Sequence, residues 1–76
     1  MVSKKIVIKN ENELLKFVRI VKQYPYFVGV SMEPCTMDAK SILGMLGLGF
    51  NRVMRMDIYS EKADDLLEAV GRFIKT

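Results

Sequence analysis

The chain has 76 residues, half of them hydrophobic, with a formal net charge of +3, one cysteine and no histidine. These values predict one small domain over residues 1–76, too apolar for disorder and without the run of roughly 18 apolar residues that crosses a membrane. A lone cysteine excludes an internal disulfide framework, and without imidazole no zinc site or other metal or cofactor site is expected.

The start, Met1-Val2-Ser3-Lys4-Lys5, leads into a strand-like run without a small-residue cleavage site, so no signal peptide is expected. Lys4 to Lys9 reads as a short β-branched strand. Asn10 is a good N-cap and Glu13 completes a capping-box pattern, which predicts a helix with Leu14, Phe17, Val18 and Val21 on its buried face. Pro25 closes it. Tyr26 to Met32 follows as a strand with Val28, Val30 and Met32 on one side. Glu33-Pro34-Cys35 makes a turn, and Thr36 to Ala39 returns as a strand with Met37 and Ala39 inward.

Ser41 can cap a brief helix reaching about Leu48, ended by Gly47 and Gly49. Arg52 to Tyr59 alternates, with Met54, Met56 and Ile58 on one side and Arg55 and Asp57 on the other. Ser60 is expected to cap a last helix whose apolar stripe is Ala63, Leu66, Leu67, Val70, Phe73 and Ile74. The order βαββαβα, with short half-buried strands, predicts an α+β fold: a four-stranded antiparallel sheet with three helices on one face.

Charge is uneven. Residues 1–55 carry nine Lys or Arg against four Asp or Glu, whereas residues 56–76 carry three against five. The basic residues are scattered and not interleaved with aromatics, which weighs against nucleic acid. Lys16, Arg19, Lys22 and Arg55 read as an ordinary solvated basic face. Asp57, Asp64, Asp65 and Glu68 read as solvated positions, with no carboxylate pair set for acid–base chemistry. Cys35, beside Pro34, lacks an evident thiolate-stabilising partner. Gly44, Gly47 and Gly49 match neither a Walker A nor a dinucleotide fingerprint, so packing and helix termination are their expected roles.

The block Lys40-Ser41-Ile42-Leu43-Gly44-Met45-Leu46-Gly47-Leu48-Gly49 resembles the regulatory-serine segment of the histidine-containing phosphocarrier protein, HPr, of the bacterial sugar phosphotransferase system. From about Phe27 to Ser60 the likeness runs without gaps. It implies the family's open-faced β-sandwich and a cytoplasmic bacterial protein. It also implies a loop after the first strand that carries the phosphorylated histidine, then an arginine and a proline. Here Lys9 runs through Asn10 into Glu11-Asn12-Glu13, about four residues short, and all three residues are missing.

The resemblance therefore implies a non-enzymatic regulatory or protein-binding module, and no histidine phosphocarrier. Ser41 matches the serine that a dedicated kinase phosphorylates in some family members, although serine is also among the best plain N-caps. Ile42, Leu43, Met45, Leu46 and Phe50 make the short helix too apolar to bury on one sheet face. By resemblance Lys40, Ile42, Leu43, Leu46 and Phe50 would meet a protein partner of unknown identity. The alternatives for the same surface are a slightly deeper core, or a homodimer contact in a structural, self-associating domain.

Overall fold

The computed structural model describes residues 1–75. Its elements are β1 (Val2–Ile6), α1 (Glu11–Lys22), β2 (Val28–Met32), β3 (Cys35–Asp38), α2 (Ile42–Leu48), β4 (Met54–Ile58) and α3 (Asp64–Ala69). The strands form one antiparallel sheet in the order β1-β4-β2-β3. This is the βαββαβα arrangement that the sequence predicts.

Period-two alternation separates the sheet into two unlike faces. Val28, Val30, Met54, Met56, Ile58 and Ile6 turn to one side and are buried there. All three helices pack on that side. They contribute Leu14, Phe17, Val18 and Val21 from α1, Met45 and Leu48 from α2, and Leu66 from α3, with Val70 and Phe73 just beyond it. Phe17 and Phe73 meet edge to face, with centroids 5.3 Å apart and planes at 89°, the arrangement favoured by ring quadrupoles.

Helix α1 starts where its capping residues place it. The Asn10 side chain accepts from the Glu13 amide at 2.9 Å, and Glu13 Oε1 accepts from the Lys9 amide at 3.0 Å. The reciprocal bond thus reaches one residue earlier than in the usual capping box.

The structure also departs from the sequence-based expectations. Strand β1 occupies Val2–Ile6, not Lys4 to Lys9, because the following residues leave β4 for other partners. The Val7 amide donates to Phe73 O, the Ile8 carbonyl accepts from Asn51, and Lys75 donates to Lys5 O. Ser60 does not cap α3; its hydroxyl donates to Lys62 O, and the helix begins after Ala63 without a side-chain cap. The expected long last helix stops at Ala69. A 3-10 turn over Gly71–Phe73 follows, and Ile74 bridges to Ile6.

Asp57 is not solvated. It lies on the helix-free face of β4, a strand flanked on both sides, and its side chain is only 5% exposed. Ser3 Oγ donates to Oδ1 at 2.6 Å and Arg55 Nε to Oδ2 at 3.0 Å, so both carboxylate oxygens are bonded.

Asp65 likewise has a partner: Tyr26 Oη donates to it at 2.9 Å, joining the start of β2 to α3. That hydrogen bond, with burial and the nearby carboxylate charge, holds the Tyr26 phenol above its ordinary value of 10.0. The folded chain therefore keeps this proton longer than the unfolded chain does. The contact's contribution is present below pH 10 and is lost as pH rises through the higher folded value. Urea denaturation should accordingly find wild type more stable than Tyr26→Phe at pH 8, with the difference shrinking by pH 11. Asn10→Ala should lower stability by about 1 kcal/mol at pH 7, the usual loss on deleting an N-cap, measured by the same method.

Candidate docking and regulatory site

Helix α2 has seven residues, and its two ends are set by its own sequence. Ser41 is extended at the N-cap, and its Oγ accepts from the Gly44 amide at 3.1 Å. Gly49 closes the helix with φ 85°, a left-handed conformation that costs a β-carbon-bearing residue strain. Gly44 has a different reason to be glycine. A β-carbon there would sit 3.2 Å from Ser41 Oγ and 3.4 Å from Met37, so the helix rests closely on β3 at this point. Gly47 does neither job: it is helical and faces open space, contrary to the expectation that it ends the helix.

With so short a helix, one side is buried and the others are left over. Met45 and Leu48 enter the core, while Ile42, Leu43 and Leu46 remain exposed, Leu43 at 84%. Phe50, just past the helix, is half-buried against the core rather than free. The patch continues onto α1 through exposed Leu15, which the sequence reading missed. Its only signal is an apolar residue next to the stripe at Leu14, Phe17, Val18 and Val21. A groove of about 170 Å³ runs between the two helices, lined by Leu15, Val18, Ile42, Arg19 and Lys22. Two residues read as solubilising cations thus border the apolar surface.

Lys40 is half-buried, and its ammonium does not stand over Ser41 as a free cation. Its Nζ donates to the Tyr24 carbonyl at 3.0 Å, just past the end of α1, while its amide donates to Asp38 Oδ1 at 2.8 Å. The structure therefore brings Ser41, Ile42, Leu43 and Leu46 to one exposed surface, and sets Lys40 and Phe50 further in.

The loop before α1 offers a poor seat for an anion. The Asn10 side chain occupies one of the free helix-end amides, that of Glu13, and Glu11 and Glu13 put two carboxylates in the first turn. Their charge offsets the positive end of the helix, the feature that otherwise draws phosphate. Among the described residues, no three His, Cys, Asp or Glu side chains gather as a metal site. No helix among them is long and apolar enough to cross a membrane.

The family model for the PTS HPr component phosphorylation site matches residues 2–76. HPr-C-His from Thermoanaerobacter tengcongensis superposes with a TM-score of 0.79 at 22% identity, covering 95% of this chain and 89% of that one. A phosphocarrier protein HPr from Bacillus anthracis gives 0.78 at 18% identity, covering 97% and 96%. An HPr dimer from T. tengcongensis gives 0.67 at 22% identity, covering 88% and 85%. At these identities the structural likeness establishes the fold. No curated protein matches the chain.

The glycine assignments can be checked directly by denaturation. Gly47→Ala should raise stability by about 0.5–1 kcal/mol, as alanine replaces a glycine on an open helix surface. Gly49→Ala should lower it by roughly 1 kcal/mol or more, because the left-handed end is then strained.

Proposed function

Because the chain belongs to the PTS HPr family, we propose that it is a protein-binding, regulatory member of that family and does not relay phosphate through histidine. The observation that carries this reading is the exposed trio Ile42, Leu43 and Leu46, presented by a chain without an imidazole. Such a chain cannot form the phosphohistidine of its relatives. A surface of contiguous large apolar side chains beside Leu15 is the kind that monomers keep for partners. Arg19 and Lys22 at its border favour a partner with carboxylates around an apolar centre.

Ser41 is the proposed point of control. Its hydroxyl lies at the edge of the same surface, beside Ile42, so a phosphate there would add charge where the partner must approach. The same hydroxyl also caps α2, so modification would alter the helix start as well. The setting proposed for this activity is the cytoplasm.

Self-association is a second reading with its own support. The β1 edge of the sheet is partly covered by the C-terminal segment, through the bonds from Val7 and Lys75, while β3 is an edge strand that has no partner on its outer side among the described residues. One of the similar structures is an HPr dimer. Sedimentation at micromolar concentration distinguishes the readings, since a clean monomer removes this one.

Four outcomes are expected. Leu43→Asp should keep wild-type stability within about 0.5 kcal/mol, because the residue is exposed. It should nevertheless weaken capture of the partner from the protein's own cell extract by about tenfold or more. If both forms capture the same proteins equally, α2 is not the docking surface. Incubation with phosphoenolpyruvate and the general phosphotransferase enzyme should leave the mass unchanged, and a gain of one phosphate would overturn the reading. Incubation with ATP and the family kinase should add one phosphate to wild type and none to Ser41→Ala.

A further inference from the structure

The helix-free face of the sheet carries a second feature that the docking surface does not use. The registers place its side chains in rows across the strands. Ser3, Asp57, Gly29 and Asp38 form one row, and Lys5, Arg55, Ser31 and Thr36 the next. The bond from the Tyr59 amide to Phe27 O at 2.9 Å extends the β2–β4 register by one pair, so these two aromatic residues stand opposite each other beside the first row. Both rings are exposed, Phe27 at 81% and Tyr59 at 58%.

Gly29 leaves a notch in the middle of this face. The fold does not demand a glycine there. Its φ is not positive, and a β-carbon would meet Thr36, Met37 and Tyr59 only at 3.7–3.8 Å, an ordinary contact distance. A glycine inside a flanked strand weakens it, and commonly marks a place where something else approaches the backbone. The notch belongs to an open cavity of about 350 Å³, within the size range of small-molecule sites, lined by Phe27, Gly29, Tyr59, Thr36, Met37 and Asp38 among others.

The charge around the cavity selects the ligand. Asp38 is the one acidic or basic residue in the lining. Its Oδ1 accepts from the Lys40 amide, and among the described residues Oδ2 has no donor. Two cations adjacent in sequence or register are committed elsewhere, Lys40 Nζ to Tyr24 O and Arg55 to Asp57. Aromatic faces and a carboxylate both attract cations, and the rest of the cavity is apolar.

We infer that this cavity binds a flat organic monocation. Its apolar body lies over Gly29 against Phe27 and Tyr59, and its cationic end meets the Asp38 carboxylate. The site is on the opposite side of the sheet from α2, so the inference stands apart from the proposed docking function.

Benzamidine tests it, since it combines a ring with a planar amidinium, and benzoate controls for shape with the opposite charge. In a ¹H–¹⁵N NMR titration of the full chain, benzamidine should give saturable shifts confined to the amides of Gly29, Thr36, Asp38 and Tyr59. Benzoate should not. Asp38→Asn should weaken binding about threefold, the size of one solvent-exposed ion pair. Gly29→Val, which fills the notch, should abolish the saturable shifts. Equal responses to the two ligands, or benzamidine shifts unchanged in Asp38→Asn, would overturn the site. The second result does not depend on whether Gly29→Val folds.

Discussion

Strand β4 sets the terms for the rest of the molecule. It pairs with β1 on one side and β2 on the other, and its residues alternate between apolar and charged. Met54, Met56 and Ile58 can be desolvated only if helices cover their side of the sheet. Arg55 and Asp57 must then face away, where no helix competes for them. A chain of 76 residues supplies enough helix for one face. The two-layer arrangement follows, with an apolar core on one side and a sheet face open to solvent on the other.

The same economy accounts for both surfaces discussed above. Helix α2 is too short to be covered on every side, so packing Met45 and Leu48 inward leaves Ile42, Leu43 and Leu46 outside. In the proposed function that excess is where a partner docks. On the helix-free face the polar groups satisfy one another: Ser3 and Arg55 bond Asp57, and Ser31 bonds Thr36 at 3.0 Å. Gly29 interrupts this lattice of side chains, and the gap it leaves is flanked by two rings and a carboxylate.

Much of the fold was readable because its signals are local. Asn10 and Glu13 define the start of α1, Ser41 the start of α2, and Gly49 its end, through bonds or dihedral angles that span only a few residues. The alternation of Arg52 to Tyr59 predicted which side of β4 would be buried. Non-local competition produced the differences. Val7 and Ile8 look like strand continuations, but Phe73 and Asn51 take their backbone groups. Ser60 has the chemistry of a cap, yet the helix starts only after Ala63, which is buried as the first member of the apolar stripe. Of the candidate site, Ser41, Ile42, Leu43 and Leu46 were legible as one apolar helix with a capping serine. Leu15 was not, because only the crossing of α1 and α2 makes it a neighbour of Ile42.

The sequence by itself determined the order and type of the elements, the inward apolar residues of α1, β2 and β4, and the lack of the imidazole on which phosphate relay depends. These follow from periodicity, capping chemistry and composition, which act within a few residues or need no geometry. Only the tertiary structure decided the fate of the polar groups. Asp57 is buried between Ser3 and Arg55, Lys40 reaches back to the end of α1, and Phe27 stands opposite Tyr59 beside Gly29. Each depends on strand register or helix crossing, which brings together residues far apart in the chain, and local patterning carries no record of those distances.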